Sequence, residues 1–362
     1  MRIALLVPTL EIGGVERVFA NLANGLHRCG VDVDMVVGRA GGKMGMVLDK
    51  NIRVFDLESD HMMRSVPRVV KYLRTRQPDA MIAAMTHSSA AAVVARALAG
   101  RKTKIVATEH STMSKIMANT PGIKYRWMPL WSRWALSWAD SIVAVSSGVA
   151  DDLSEQTGIL RERFRVIYNP VITDELHVAA RATVEHPWFQ PGEPPVILAV
   201  GRLNKEKDFS MLVQAFRIVR NHRPARLMIL GEGPDRTRVE QVVDDLSLNE
   251  DVALPGFEHN PYRFMSRAAV FALSSQWEGF GVVLVEAMAL RMPIVSTNCT
   301  YGPAEILCNG KFGTLVPVED HEAMARALLH ALDNPVQNDC SAHLQQFSVR
   351  NVASSYMSLL NR

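Results

Sequence analysis

Short apolar runs alternate with amphipathic stretches along most of the chain. The runs are rich in Val, Ile, Leu and Ala, which favours buried strands, and many stretches between them place apolar residues at helical spacing. The predicted strands lie at 2–7, 33–37, 52–57, 80–84, 104–107, 141–145 and 164–168 in the first half, and at 196–200, 227–230, 270–273 and 293–297 in the second. This alternation predicts an α/β protein whose parallel sheets are covered on both faces. Ligands of such sheets bind beyond the carboxyl ends of the strands.

The chain is long enough for two domains. Its 362 residues, 48% of them hydrophobic, can fill two separate cores. We predict a first domain over 1–170, a linker over 171–195, a second domain over 196–345, and a C-terminal helix over 346–362 that crosses back onto the first domain. The linker is predicted because its composition turns polar and rich in Pro and Gly.

Charge is distributed unevenly between the two halves. Residues 1–138 carry 20 Lys and Arg against 10 Asp and Glu, whereas the remainder carries 20 against 27. A basic first half predicts an anionic surface or acceptor on that side of the protein. The sequence has no helix-turn-helix, RNA-binding or zinc-finger signature, so nucleic acid is not expected as a partner.

The cysteines and the apolar segments bear on the cellular location of the protein. The four cysteines have neither the spacing of metal ligands nor that of a disulfide framework, which fits a reducing environment. The apolar run at the N-terminus is too short for a signal peptide, and no stretch has the roughly 18 apolar residues of a membrane span. A cytoplasmic location is therefore expected.

The stretch from 277 to 289 joins a buried strand to a helix through a glycine-rich turn. We predict that the helix begins near Val282 and directs its free amides beyond the strand tips, where Gly281 lets a ligand approach the backbone. This arrangement is typical of a phosphate site. Glu278 on the turn and Glu286 on the helix can face the same cleft, although carboxylates at this spacing are otherwise ordinary solvated side chains.

Two further loops follow predicted strands. Gly13 and Gly14 lie between the first strand and a helix, which is the outline of a phosphate loop, although a diglycine is also an ordinary tight turn. Arg202 and Lys207 follow strand 196–200 and can reach a diphosphate from two directions, or else they are solvated loop residues.

Two other motifs bear on chemistry. The segment 108–111 directly follows the predicted strand 104–107, which places His110 at the same sheet edge as the diglycine, although a single histidine is most often structural. Asp32 and Asp34 form an Asp-x-Asp pattern of the kind that binds metals. Both carboxylates are expected to face solvent from an early strand, so no metal site is predicted.

Residues 112–139 combine indole rings with basic side chains. The segment contains Trp127, Trp131, Trp134 and Trp138 at helical spacing, together with the cations Lys115, Lys124, Arg126 and Arg133. Such a stripe is typical of a helix that faces the core, and it also suits a membrane interface with anionic lipids. The two interpretations coexist if the helix packs on the sheet while its basic flank meets a bilayer.

The Glu278 to Glu286 stretch resembles the Glu-x7-Glu motif of the retaining, nucleotide-sugar-dependent glycosyltransferases of the GT-B fold (glycosyltransferase family 4). The resemblance spans nearly the whole chain and includes Arg202 and Lys207, which match the diphosphate-binding pair of the family. It implies two doubly wound Rossmann-like domains that face each other across a cleft. It also implies a nucleotide diphosphate sugar as donor, with a preference for UDP.

The resemblance implies a role for each candidate residue. It assigns the departing diphosphate to Arg202, Lys207 and the amides near Phe280, Gly281 and Val282; the transferred sugar to Glu278 and His110; the ribose to Glu286; the base to Gly256 and Phe257; and the cleft floor to Gly13 and Gly14.

The implied reaction is the transfer of a hexose or N-acetylhexosamine to a lipid-linked or surface glycan, such as a polyprenyl-diphosphate-linked acceptor. The resemblance implies retention of configuration without metal or other cofactor, and we expect a peripheral location on the inner face of the plasma membrane. Two alternatives stay open, namely a nucleotide-sugar 2-epimerase of similar fold and a non-catalytic partner that binds nucleotide sugars.

Overall fold

The computed structural model describes residues 1–11, 13–41, 47–120, 122–335 and 339–361, except for the side chains of 123 and 124. The chain divides into two compact units. The first contains Met1–Val171 and Gln346–Arg362, and the second contains Ile172–Gln345.

The first unit is built on a parallel sheet of seven strands. In chain order the strands are β1 (Arg2–Thr9), β2 (Asp32–Arg39), β3 (Arg53–Asp56), β4 (Ala80–Ala84), β5 (Lys104–Glu109), β6 (Ser141–Ala144) and β7 (Phe164–Val166). Their spatial order is β3-β2-β1-β4-β5-β6-β7. The helices are α1 (Gly14–Arg28), α2 (Val66–Arg76), α3 (Met85–Ala99), α4 (Met113–Asn119), α5 (Ile123–Arg126), α6 (Met128–Ser137) and α7 (Ser147–Thr157).

The second unit repeats this plan with six parallel strands. They are β8 (Val196–Val200), β9 (Arg226–Leu230), β10 (Val252–Gly256), β11 (Val270–Leu273), β12 (Ile294–Thr297) and β13 (Thr314–Val316), in the spatial order β10-β9-β8-β11-β12-β13. The helices are α8 (Asp174–Ala180), α9 (Phe209–His222), α10 (Arg236–Asp245), α11 (Tyr262–Met265), α12 (Val282–Ala289), α13 (Pro303–Ile306), α14 (His321–Asp333) and α15 (Ser341–Leu344). Two doubly wound α/β sheets, as predicted, thus form the protein.

The apolar runs mark the central strands because these strands are buried on both faces. Residues 3–7 of β1 and the whole of β4 and β11 are buried, which is the condition under which parallel strands lack polar alternation. Pro8 does not end β1, which continues to Thr9. Beyond Leu6 the strand no longer pairs with β4, so the missing amide hydrogen of the proline costs little there.

Asp34 does not face solvent, contrary to the expectation from strand alternation. It is fully buried beneath α2, where it accepts hydrogen bonds from Tyr72 Oη at 2.8 Å and from Arg76 Nε at 3.1 Å. Only Asp32 is exposed, and it pairs with Arg2. The alternation of a strand decides which face a side chain occupies, but not whether a helix covers that face.

The segment predicted as a linker is folded into the second unit. Its helix α8 packs against α11, and the carbonyl of Ala179 accepts a hydrogen bond from Asn260 Nδ2 at 2.8 Å. The ring of Phe189 meets that of Phe264 edge-on with centroids 5.6 Å apart. Polar composition here reflects a short helix on the protein surface rather than a free connection.

The last helix, α16 (Val349–Leu360), belongs to the first unit. It packs on α1 so closely that a Cβ on Gly25 would lie 2.5 Å from Val349 Cγ1, and Lys104 Nζ donates a hydrogen bond to the Leu360 carbonyl at 2.8 Å. Within the described ranges, every helix is too short or too polar to traverse a bilayer.

Candidate functional site

The second sheet has its topological switch point between β8 and β11. From β8 the chain continues to β9 on one side, whereas β11 pairs with β8 on the other side. The loops that follow these two strands therefore flank the position where open α/β sheets bind ligands. They contain Arg202 and Lys207 after β8, and Glu278 after β11.

The two loops are tied together by hydrogen bonds. Ser274 Oγ donates to the Lys207 carbonyl at 2.7 Å, and the Gln276 amide donates to the Glu206 carbonyl at 2.8 Å. Gln276 Nε2 also donates to Asp208 Oδ2 at 2.9 Å. The side chains that extend from these loops consequently have a fixed backbone beneath them.

Lys207 and Glu278 form a buried ion pair at this seam. Lys207 Nζ lies 2.5 Å from Glu278 Oε1, and only 14% and 9% of the two side chains are exposed. Ser275 Oγ donates to the same carboxylate oxygen at 2.7 Å. Burial by itself lowers the pKa of Lys207, but the charge of Glu278 and the hydrogen bond to it outweigh burial, so that the pKa is raised.

Arg202 differs from Lys207 in its environment. It is exposed on the loop after β8, and its guanidinium makes no hydrogen bond or ion pair with the described residues. The stem of Lys207 passes Gly201, where a Cβ would lie 3.6 Å from Lys207 Cε. Lys207 is therefore paired with a carboxylate, whereas Arg202 on the same loop is available to an anion.

The glycine-rich turn before α12 has the predicted form. Gly281 is the N-cap of α12 with φ of +99°, a conformation that favours glycine, and the helix begins at Val282. Phe280 is buried, and a Cβ on Gly302 would overlap its carbonyl oxygen. The loop after β12 thus supports the turn from behind, backbone against backbone.

Glu286 has different partners from Glu278. It is buried in α12, and Tyr262 Oη donates a hydrogen bond to its Oε1 at 2.8 Å. Tyr262 begins α11, a few residues after the Gly256-Phe257 segment that ends β10. The two carboxylates of the Glu-x7-Glu motif are therefore held by separate groups, one beside the cationic loop and one beside the segment after β10.

The Gly256-Phe257 segment presents an exposed aromatic ring. Phe257 is 43% exposed and meets the His259 ring edge-on with centroids 5.0 Å apart. Gly256 has φ of +93°, and a Cβ there would lie 2.8 Å from Glu232 Oε1. Glycine at this position leaves room for the pair formed by Glu232 and Arg236 at 2.6 Å.

In the first unit, Gly13 and Gly14 connect β1 to α1 as predicted, with Gly13 as the N-cap. The Glu16 carboxylate folds back over the diglycine, so closely that a Cβ on Gly13 would overlap Glu16 Oε2. Burial raises the pKa of Glu16. The space beside Gly13 is thus occupied by a carboxylate of the protein itself, whereas a Cβ added to Gly14 would meet no described atom within 4 Å.

His110 lies at the carboxyl end of β5, buried against the Phe19 ring of α1 with centroids 5.6 Å apart. Its Nε2 is 3.1 Å from Thr108 Oγ1, and that hydroxyl donates its hydrogen to the Ala83 carbonyl at 3.0 Å. With the hydroxyl hydrogen on the Ala83 carbonyl, we assign the proton of the neutral ring to Nε2, which leaves Nδ1 as an acceptor. Burial lowers the pKa of His110 to about 4, so the ring is neutral at pH 7.

The sequence did not single out Tyr262, Ser275 or the buried Cys299. Burial raises the pKa of the Cys299 thiol to about 12, and the charge of Glu278 adds to this. Each of the three lies on a loop or short helix that follows a strand of the second sheet, and only that position could have marked it. Among the described residues, His, Cys, Asp and Glu do not gather in any group of three that could hold a metal.

The tryptophans of α6 and its flanks face outward. Trp127, Trp131, Trp134 and Trp138 are between 38% and 63% exposed. The opposite face, with Ser132, Ala135 and Leu136, is buried, and α6 packs there against α3 and α7. The interpretation of the indoles as core residues is therefore wrong, because small residues make the inner face instead.

The cations near these indoles are not all available. Arg133 Nη1 donates to the Thr157 carbonyl at the end of α7 at 3.1 Å, which uses the guanidinium as a C-terminal cap. Arg126 is exposed. The side chain of Lys124 lies outside the described residues.

Family models match both halves of the chain. The model for glycosyltransferase family 4 matches residues 12–175, and the model for glycosyl transferases group 1 matches residues 182–347. Together they span most of the sequence, with a boundary near that between the two units.

Individual relatives agree with the family models. The chain is 29% identical over 239 residues to the N-acetylgalactosamine-N,N'-diacetylbacillosaminyl-diphospho-undecaprenol 4-alpha-N-acetylgalactosaminyltransferase of Campylobacter jejuni, a match that covers 65% of this chain and 62% of that enzyme. It is 26% identical over 359 residues to the lipopolysaccharide core biosynthesis glycosyltransferase LpsE of Rhizobium meliloti, covering 96% of each.

A solved structure shares the fold over the full length. HepE of Anabaena, in complex with UDP-glucose, has a TM-score of 0.83 and 19% identity, covering 100% of this chain and 99% of that chain. The family models confirm the family that the sequence resembles, and the solved structure confirms the fold. The chain belongs to the glycosyltransferases of family 4 and has the GT-B fold.

Proposed function

We propose that the protein is a retaining glycosyltransferase that moves a hexose or N-acetylhexosamine from a UDP-sugar to a lipid-linked or surface glycan at the membrane. The observation that carries this proposal is the seam between β8 and β11, where an exposed Arg202 stands beside the buried pair of Lys207 and Glu278. The relatives support the acceptor class, since one is named for a diphospho-undecaprenol substrate and another for lipopolysaccharide core synthesis. HepE, solved with UDP-glucose, supports the donor class.

In the proposed reaction, the bond between the anomeric carbon and the diphosphate oxygen breaks, and the acceptor hydroxyl oxygen forms the new bond on the same face. The hydroxyl proton leaves with the diphosphate. Negative charge grows on the departing diphosphate oxygen. Arg202, Lys207 and the amides that begin α12 at Val282 would therefore stabilise the transition state more than the ground state.

The remaining groups orient the donor. Glu286 would accept hydrogen bonds from the ribose, and Glu278 from hydroxyls of the sugar. His110 is neutral with Nδ1 as an acceptor, so it would accept a hydrogen bond from the sugar rather than supply a positive charge. The proposed steps use no metal ion and no other cofactor.

Turnover of variants tests these assignments. Release of UDP from a panel of UDP-sugars would be measured with a membrane lipid extract as acceptor source. We expect Arg202→Ala and Glu286→Ala to lower kcat/KM at least about 100-fold, since each removes a charged contact to the donor. Arg238→Ala is the matched control, because Arg238 is another exposed arginine of the same unit without a side-chain partner among the described residues. Undiminished turnover in both site variants would overturn the proposal.

The proposed membrane contact rests on the outward-facing indoles. Four exposed tryptophans on one helix and its flanks, two of them stacked with ring centroids 5.0 Å apart, form an aromatic surface next to the cation Arg126. Indole rings beside basic side chains favour the headgroup region of an anionic bilayer. Peripheral attachment on the inner face of the plasma membrane, in the cytoplasm, would bring the enzyme to a lipid-linked acceptor.

Flotation with vesicles tests this contact. We expect the protein to bind vesicles that contain phosphatidylglycerol, and the Trp127→Ala/Trp131→Ala/Trp138→Ala variant to bind them about tenfold or more weakly. Leu160→Ala is the control, because Leu160 is an exposed apolar residue of the same unit, 73% exposed, outside this surface. Equal flotation of the triple variant and the wild type would refute the contact.

A further inference from the structure

We infer that Tyr262 is a positioning residue for Glu286, and that it sets how strictly the protein selects a ribose with a free 2′-hydroxyl. The inference rests on the proposed function, in which Glu286 binds the ribose of the donor. It adds a residue outside the Glu-x7-Glu motif, on a helix that the sequence pattern did not predict.

The contact itself is specific. Tyr262 Oη donates to Glu286 Oε1 at 2.8 Å, and Glu286 is buried. A carboxylate offers about four acceptor positions, and a bound hydroxyl donor fixes its rotation. The directions of the remaining lone pairs, which a vicinal diol would meet, therefore depend on where the tyrosine hydroxyl lies.

The position of Tyr262 is in turn held by α8. Asn260 Nδ2 donates to the Ala179 carbonyl and Ser266 Oγ donates to the Ala180 carbonyl, both at 2.8 Å. These two polar side chains bracket α11 and attach it to the last two carbonyls of α8. Because Asn260 and Ser266 lie on either side of Tyr262, the backbone from which the ring extends is held in place.

A series of contacts thus leads from the surface helix α8 to the proposed nucleotide site. The carbonyls at the end of α8 fix α11, α11 fixes Tyr262, and Tyr262 fixes the carboxylate of Glu286. The exposed Phe257 precedes α11 in the same segment. The attachment of α11 to α8 therefore supports the residues proposed for the ribose and for the base.

Calorimetric binding of nucleoside diphosphates separates this role from simple stability. UDP, GDP and ADP would each be compared with the 2′-deoxy analogue, and the ratio of the two Kd values would be taken for the pair that binds most tightly. We expect a ratio of about tenfold or more in the wild type, since loss of a hydroxyl that bonds a carboxylate costs about this much. In Tyr262→Phe we expect the ratio to fall to about two or three, and in Glu286→Ala to about one.

Tyr72→Phe is the matched control. Tyr72 also donates to a buried carboxylate at 2.8 Å, that of Asp34, but it lies in the first unit. We expect this variant to be less stable and to keep the wild-type ratio. Ser266→Ala provides a second test if Tyr262→Phe does not fold, because it loosens α11 and should lower the ratio in the same direction.

The outcomes distinguish the two proposals. A wild-type ratio in Tyr262→Phe, with a lost ratio in Glu286→Ala, would overturn the role of Tyr262 and leave the proposed function standing. An unchanged ratio in Glu286→Ala would overturn the ribose assignment itself. Absence of binding by all three diphosphates to the wild-type protein would overturn both.

Discussion

Removal of the Glu278 charge should destabilise the second unit strongly. In Glu278→Gln the Lys207 ammonium, 14% exposed, loses the carboxylate oxygen that lies 2.5 Å away. Breaking a buried pair on one side costs about 3–5 kcal/mol, because the other charge is left without compensation. For a unit of this size 1 kcal/mol corresponds to about 2–4 °C, so the melting temperature of the second unit should fall by roughly 10 °C.

A second, more exposed ion pair in the same unit provides the control. Glu232 and Arg236 lie 2.6 Å apart but are 51% and 31% exposed, so Glu232→Gln should cost less than about 1 kcal/mol. Melting of both variants would be followed by calorimetry. In Glu278→Leu/Lys207→Met the melting temperature should return towards that of the wild type without activity, since no charge is left buried and alone. Equal melting temperatures for Glu278→Gln and Glu232→Gln would refute the description of the pair as buried and coupled.

The pH dependence of the same pair has a definite sign. The folded state raises the pKa of Lys207 above the ordinary value of 10.5. The pair therefore stabilises the fold fully below pH about 10.5 and loses this contribution as pH rises through the folded-state pKa. Glu278→Gln should lack this loss of stability at high pH, whereas Glu232→Gln should retain it.

Two further predictions concern the sheet edges. Burial raises the pKa of Glu109 to about 8 and lowers that of His110 to about 4. Between pH 6.5 and 8, where the histidine no longer titrates, the folded state therefore holds an extra proton on the Glu109 carboxyl, so the free energy of unfolding should fall with rising pH. In Glu109→Gln it should stay flat in that window, as urea titrations at several pH values would measure. Gly302→Ala should lower kcat/KM at least about tenfold in the UDP-release assay, because the new Cβ would overlap the Phe280 carbonyl and φ is already +92°. Gly192→Ala is its control, because Gly192 has a φ of +91° but no atom lies within 4 Å of the added Cβ. Equal losses of kcat/KM in both variants would contradict this explanation.

The sequence pattern was sufficient for the central strands and insufficient at the edges. Residues 270–273 were predicted with the bounds that the structure has, because β11 is buried on both faces and its apolar run is uninterrupted. Strand β13 was missed, since only one of its three residues is buried at the edge of the sheet. Helix α8 was missed because its surroundings are polar and only two of its residues are buried.

The candidate site could be located from sequence, but its internal contacts could not. Glycine-rich turns after strands point to the carboxyl edge, and Gly281 and Arg202 lie there in the structure. Nothing in the spacing indicates that Lys207 pairs with Glu278, since 71 positions separate them. The direction of the indoles was equally hidden, because helical spacing is the same for an inward and an outward stripe.

In the proposed reaction, the pairing of Lys207 with Glu278 would give Arg202 and Lys207 different tasks, although both lie on one loop. A lysine held by a carboxylate and a fixed backbone is ordered before any donor arrives, so its orientation costs little when a diphosphate binds. The exposed Arg202 keeps its full charge towards solvent and would make the first contact with the anion. In the proposed reaction, sugar hydroxyls that bond Glu278 would weaken the hold of that carboxylate on Lys207, and the ammonium would then act more strongly on the departing diphosphate. Under this mechanism Glu278→Gln should lower kcat more than it raises KM, whereas Arg202→Ala should both raise KM, because the first contact with the anion is lost, and lower kcat.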